Sequence, residues 1–247
     1  MEESPVPQRE TSFHWEGHDL VAFFAFSLAT VFFLPGAVFL VLRLFHPGLQ
    51  VEHLSGVQQI LIQALMDMVL VGFIVFLVAA VHRMPILGTL CFVRNEHLRI
   101  GRLIFSGFLL AVTVLAISLF FPTPSESPLE KLLTTTPSIV LFVVFGIAMA
   151  PLFEEIIFRG FIFSALSDLL GWRVAVPITT VLFAALHLTQ LRDNWPAVAV
   201  ILLVGYVLTI VRQRTNSVIP SVIIHTAYNA MIFGAAALSA LLGSVGR

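Results

Sequence analysis

Long apolar stretches separated by short polar segments run through most of the chain. Seven of them are long enough, or nearly so, to cross a membrane as helices. They lie at about 20–42, 59–81, 103–121, 137–168, 174–189, 196–211 and 217–243. No segment shows the alternating pattern that is typical of outer-membrane barrel strands. The pattern predicts an all-α, polytopic integral membrane helix bundle of about seven transmembrane helices.

The domain organisation follows from the same pattern. Residues 1–19 are polar and predict an N-terminal tail, while 20–247 predict a single transmembrane domain without repeats or a dividing linker. The fourth stretch contains Gly146 and Pro151, so we expect a kink there. The fifth and sixth stretches are short for spanning helices, and we expect them to be tilted or shielded by neighbours.

Composition excludes several classes of protein. The chain is 58% hydrophobic and 11% charged, whereas soluble domains carry about 25% charged residues. The net charge of -1 gives no sign of nucleic-acid binding. Cys91 is the only cysteine in the sequence, so the chain forms no internal disulfide.

Basic residues near the predicted span ends suggest an orientation. The side shared with the N-terminus carries eight arginines and the other side four basic residues. The first group is Arg9, Arg83, Arg94, Arg99, Arg102, Arg173, Arg212 and Arg214, and the second is Arg43, Lys131, Arg192 and Arg247. Because cytoplasmic loops carry the excess of Lys and Arg, this bias predicts a cytoplasmic N-terminus.

Ionisable residues inside the spans are the candidates for chemistry, because each costs about 2.5–3.5 kcal/mol to insert. The fourth stretch contains Glu154, Glu155 and Arg159. Glu155 and Arg159 are four residues apart, so they lie on one helix face and can pair. Glu154 is rotated about 100° from Glu155 and is left available as a base. In the second stretch, Asp67 lies near Gln63 and suggests a structural or cavity-lining role.

Two further stretches carry polar pairs one helical turn apart. The fifth has Phe183 and His187, and the seventh has His225 and Asn229. Measured from the predicted cytoplasmic ends, Glu154 and His187 lie roughly 20 Å deep and His225 roughly 12 Å deep. A carboxylate and an imidazole can hold a water molecule and take its proton. A second imidazole and an amide can donate hydrogen bonds to an oxyanion. This set could hydrolyse an amide without a nucleophilic serine.

Three ordered motifs carry a family resemblance. They are EEIIFR at Glu154–Arg159 followed by Gly160, FAALH at Phe183–His187, and HTAYN at His225–Asn229. Each is weak alone, but their order and their placement in apolar spans are specific. The chain resembles the CAAX prenyl endopeptidase and bacteriocin-processing family of intramembrane proteases, also called Abi or CPBP proteins. The motifs cover roughly residues 137–235.

The resemblance implies an all-helical membrane fold with a cavity that faces the cytoplasm, and a metal-independent mechanism. By analogy with the family's type II prenyl endopeptidases, Glu154 and His187 would activate water. His225 and Asn229 would stabilise the oxyanion. No cofactor is implied.

Supporting roles and partners follow from the same resemblance. Glu155 and Arg159 would orient the site, and we expect Phe183 to pack beside it and shape the cavity. The implied partners are the lipid bilayer and a peptide or protein substrate, with prenylated proteins and bacteriocin precursors as the classes tied to the family. The implied location is a plasma membrane, that of a bacterium.

Three alternative functions remain open on sequence grounds. Glu154, His187 and His225 form a plausible ligand set for a zinc hydrolase. A membrane scaffold or bacteriocin self-immunity protein would keep the motifs for packing alone. A transporter would also place charges within its spans, although the chain lacks paired repeats with broken helices.

Overall fold

The computed structural model describes residues 13–93, 99–121, 135–188 and 194–245, with side chains up to residue 238. Within these ranges the chain forms helices and no strands. The helices are α1 Gly17–Phe45, α2 Gly56–Val81, α3 Ile86–Thr89, α4 Ile100–Ser118, α5 Thr136–Leu170, α6 Trp172–Leu186, α7 Trp195–Thr215 and α8 Ile219–Val245. A single 3-10 turn, Val51–His53, lies between α1 and α2.

Six of these helices are long and apolar enough to cross a membrane, and α6 is a shorter apolar helix. The prediction of an all-α polytopic membrane bundle is therefore confirmed. The last apolar stretch continues as one helix to Val245. Several predicted features lie outside the described residues: positions 1–12 of the tail and the basic residues Arg9, Arg94, Lys131, Arg192 and Arg247.

The predicted end of the sixth stretch was wrong, and the error changes the position assigned to Arg212. The sixth stretch was predicted to end at residue 211, but α7 continues to Thr215. Arg212, counted among the loop arginines, therefore lies within the helix, where it is 5% exposed. The prediction failed because a basic residue in the last turn of a membrane helix looks like the start of a loop. Without Arg212, the bias in basic residues still favours the side of the N-terminus.

Helix α5 is irregular on both sides of its paired glutamates. The backbone widens to five-residue hydrogen bonding at Phe145–Met149 and again at Ile156–Ile162, while Ala150–Glu155 between them is α-helical. A kink was expected near Gly146 and Pro151, and the first widened turn lies there. Widened turns of this kind often mark functional sites. Glu154 and Glu155 thus end a short regular segment between two distorted ones.

The packing places α5 between several other helices. Its central part contacts α2 and α8, and α8 also packs closely along α4. That close approach depends on Gly107, where an added Cβ would lie 2.5 Å from the Ile224 carbonyl oxygen. Helix α1 is the most peripheral span, with 6% of its apolar window buried. The polar residues predicted to act together are therefore carried by the inner helices.

Candidate active site

A buried ion pair on α5 is the first element of the site. Arg159 Nη1 donates to Glu155 Oε1 at 2.9 Å, and both side chains are 0% exposed. Arg159 Nη2 donates to the Gly205 carbonyl oxygen of α7, also at 2.9 Å. The pairing expected from the four-residue spacing is present. A buried charge needs compensation, and here the guanidinium has both a carboxylate and a carbonyl as acceptors.

His225 of α8 joins the same carboxylate. Its Nδ1 lies 3.0 Å from Glu155 Oε1. Since an ionised carboxylate only accepts hydrogen bonds, Nδ1 carries a proton. Glu155 Oε1 therefore accepts from both Arg159 and His225, which fixes the position and ring orientation of this imidazole.

Glu154 lies on the other side of the same imidazole. Its Oε2 is 3.8 Å from His225 Nε2, which is within ion-pair range but too long for a hydrogen bond. The Glu154 side chain is 23% exposed, in contrast to the fully buried Glu155. The two adjacent glutamates thus differ as expected from their rotation about the helix. One is held by a cation, and the other is accessible.

His187 is positioned by the end of α6. The His187 backbone N–H donates to Ala184, three residues back, and this leaves the Phe183 carbonyl without its usual helical donor. The His187 ring compensates, with Nδ1 at 2.9 Å from the Phe183 carbonyl oxygen. Because a carbonyl only accepts, Nδ1 is the donor, and a neutral ring has its lone pair on Nε2.

The Phe183 ring lies beside both imidazoles. Its centroid is 5.0 Å from the His187 ring and 6.0 Å from the His225 ring. The Arg159 guanidinium carbon lies 4.5 Å from the same centroid, close enough for a cation–π interaction. Gly205 allows this arrangement, since an added Cβ there would lie 2.9 Å from Phe183 Cδ1. Phe183 therefore contacts both imidazoles and the guanidinium, and it helps to hold the three groups relative to one another.

Asn229 is held by a carbonyl that the α5 distortion leaves free. The Ala150 N–H donates to Phe145, five residues back, and the next residue is Pro151, which has no N–H. The Gly146 carbonyl consequently lacks its backbone donor, and Asn229 Nδ2 supplies one at 2.7 Å. An amide nitrogen has two hydrogens, so one of them remains for another acceptor.

Sequence reasoning missed several supporting groups. The carbonyls of Gly146 and Gly205 gave no sequence signal, because their roles depend on which helices are neighbours. Arg212 was also missed: its Nε donates to the Arg159 carbonyl at 3.1 Å and its Nη2 to Ser164 Oγ at 3.2 Å. The sequence offered one clue: Arg212 lies one helical turn after Leu208, so it continues the same face of the sixth apolar stretch.

A separate cavity of about 430 Å³ lies at the end of the bundle that holds the start of α1. Its walls include Trp15, Cys91, Asp168 and Arg212, and none of the seven predicted site residues. The expected cytoplasmic cavity is therefore not this one. No three His, Cys, Asp or Glu side chains within the described ranges converge as a metal site.

Comparison with known proteins supports the resemblance. Residues 136–231 match the family described as "Type II CAAX prenyl endopeptidase Rce1-like". This segment runs from the start of α5 into α8 and contains all seven predicted site residues. The chain is also similar to UPF0177 protein YxdF of Lactococcus lactis subsp. lactis (strain IL1403), with 29% identity over 136 residues, 55% of this chain and 71% of that protein. No solved structure matches the chain.

Proposed function

We propose that this multi-pass membrane protein, whose residues 136–231 carry an Rce1-like domain, is an intramembrane endopeptidase with a glutamate base. The family match supports a CAAX-type protease in general, and the residue roles are our inference from the site. The observation that carries the proposal is the asymmetry of the two glutamates. Glu155 is fully buried against Arg159, whereas Glu154 is accessible and faces His225.

In the proposed reaction, Glu154 takes the proton of a water molecule while that water attacks the peptide carbonyl. The Nε2 lone pair of His187 assists, since its Nδ1 is committed to the Phe183 carbonyl. The tetrahedral intermediate then carries a negative charge on oxygen. The proton taken from water passes to the leaving amine, and the carbon–nitrogen bond breaks.

The oxyanion requires preorganised donors. We assign this role to His225, with Nε2 as the donor, and to the second amide hydrogen of Asn229. His225 is suited to carry positive charge because its Nδ1 lies against the Glu155 carboxylate. Glu155 and Arg159 act as positioning residues, and Phe183 packs beside both imidazoles.

The proposed setting is a bacterial plasma membrane with a cytoplasmic N-terminus, on the basis of the basic residues near the span ends. The substrate is a peptide or protein segment that enters the bilayer region. Prenylated proteins and bacteriocin precursors are the candidate classes, because the family description names prenyl endopeptidases and the resemblance includes bacteriocin processing.

The test uses purified protein in proteoliposomes and a pooled library of internally quenched peptides, with products identified by mass spectrometry. We expect cleavage by wild type, and loss of cleavage in His187→Asn and His225→Asn. His53→Asn is the matched control, since His53 is exposed in the turn after α1. Full cleavage by both site variants would refute the assigned roles. Absence of cleavage by wild type, with intact folding, would favour the scaffold or immunity alternative.

A further inference from the structure

A line of polar side chains runs along the first half of α2. Gln59, Gln63 and Asp67 are spaced four residues apart, so they form one row on the helix surface. The row is about 12 Å long at 1.5 Å per residue. Gln59 and Gln63 are exposed and Asp67 is half-buried. Gln59 Nε2 donates to the Leu54 carbonyl oxygen at 2.9 Å, so its second amide hydrogen and its amide oxygen remain for other partners. Amide and carboxylate groups within the hydrocarbon region are costly unless they meet water or polar partners.

The inner end of this row lies near Glu154. Ala64 of α2 is buried in a cluster with Phe145 of α5, and Asp67 follows it by three residues on the same side of α2. Gln63 Nε2 donates to Asp67 Oδ1 at 2.9 Å. The Asp67 and Glu154 carboxylates interact electrostatically. The row therefore begins at the Gly56 end of α2 and stops at the level of the proposed base.

Two helices flank Glu154. The Ala150–Glu155 segment of α5 contacts α2 on one side and α8 on the other. The α8 side carries His225, which faces Glu154. The α2 side carries the polar row. The segment that ends in Glu154 and Glu155 thus packs against one helix that carries His225 and another that carries the polar row.

We propose that Gln59, Gln63 and Asp67 form the α2 wall of a groove along which an extended peptide reaches Glu154 from the Gly56 end of the bundle. Because α1 crosses the membrane before α2 begins, this end lies on the side opposite the N-terminus, and not on the cytoplasmic side that the family resemblance implies. This inference rests on the proposed function and specifies the conformation of its substrate. A helical segment satisfies its own backbone groups, whereas an extended one leaves N–H and C=O groups that need partners in an apolar region. Glutamine offers both donors and acceptors, and a carboxylate accepts from N–H groups. The groove thus favours unwound segments.

The groove is tested by cysteine accessibility in the full-length protein. The single native cysteine is replaced (Cys91→Ser), and one cysteine is introduced at a time. Gln63→Cys probes the groove, Met68→Cys is the lipid-facing control on the same helix, and Glu52→Cys is the water-exposed control at the same end. The reagent is a permanently charged methanethiosulfonate applied to proteoliposomes. We expect Gln63→Cys to react at least about tenfold faster than Met68→Cys, because a charged reagent is excluded from lipid.

Peptide binding in the groove is tested by whether it protects the introduced cysteine from the reagent. The peptide library of the cleavage assay is added at saturating concentration during the reaction. Occupancy should slow modification of Gln63→Cys by about threefold or more and leave Glu52→Cys unchanged. A Gln63→Cys rate equal to that of Met68→Cys would overturn the groove, and an unprotected fast rate would overturn the peptide as its occupant. Neither readout requires turnover, so protection without cleavage would refute the proposed function while the groove stands.

Discussion

Glu155 and His225 lie on different helices and are joined by a 3.0 Å contact between Oε1 and Nδ1. The same oxygen accepts from Arg159, so one carboxylate links an imidazole and a guanidinium. This arrangement keeps one proton on His225 Nδ1 and directs Nε2, the proposed oxyanion donor, towards Glu154. The more buried glutamate therefore holds the imidazole in place, and the more accessible one is the proposed base.

Breaking this network should cost stability. Glu155→Gln and Arg159→Gln each leave a buried charge without its partner, which typically costs about 3–5 kcal/mol. We expect a clear fall in the melting temperature of both purified variants in detergent. Arg43→Gln is the control, since Arg43 is exposed in the last turn of α1. Melting of both site variants at the temperature of the control would refute the structural pair.

Replacing Asn229 should separate catalysis from folding. Asn229→Ala removes a proposed oxyanion donor, so kcat should fall by about 10²–10³ with a small change in KM. The lost contact with the Gly146 carbonyl should lower the melting temperature as well. Thr226→Val, a neighbouring isosteric change on α8, should keep the wild-type kcat and the wild-type melting temperature. Loss of stability with a normal kcat in the folded fraction would restrict Asn229 to a packing role.

The contact between α4 and α8 offers a steric test of how His225 is supported. At Gly107 an added Cβ would lie 2.6 Å from Ala227 Cβ and 2.5 Å from the Ile224 backbone oxygen, so Gly107→Ala must push the helices apart. We expect lower thermal stability and lower cleavage, because both contacted residues flank His225. Gly101→Ala on the same helix meets nothing within 4 Å and should be harmless. Equal melting temperatures for the two variants would show that this contact is dispensable.

The sequence predicted the helices and the Glu155–Arg159 ion pair well because both depend on local spacing. Apolar length identifies a span, and a four-residue interval places Glu155 beside Arg159 on one face. Contacts between helices were not predictable in the same way. That the imidazole facing Glu154 is His225 depends on how α5 and α8 are rotated about their axes. No sequence interval encodes such a rotation.

The backbone distortions of α5 were only partly foreseen. Pro151 predicted a disturbance, since it lacks an N–H. The second widened turn, Ile156–Ile162, carries no proline and was not predicted. The use of the free Gly146 carbonyl by Asn229 also required the fold, because the two residues are 83 positions apart.

The metal-independent mechanism is tested by removing zinc and by measuring the zinc content of the protein. Activity should survive chelation under conditions that strip zinc from a control enzyme, and elemental analysis should show no stoichiometric zinc. The reason is that Glu154 and His187 are assigned as proton acceptors and His225 as a hydrogen-bond donor, and none of the three as a metal ligand. One zinc per chain, lost in Glu154, His187 and His225 variants and restoring activity on re-addition, would establish the zinc alternative.

The most direct measurement compares wild type with Glu154→Gln in a single-turnover cleavage assay in ¹⁸O-labelled water. The substitution keeps the size of the side chain and removes the base, while Glu52→Gln serves as the exposed control. The wild-type product should gain one ¹⁸O atom in its new carboxylate, as direct attack by water requires. Glu154→Gln should melt normally, and its rate of cleavage should fall at least about 10²-fold. Near-wild-type turnover by folded Glu154→Gln would remove Glu154 from the mechanism and contradict the account.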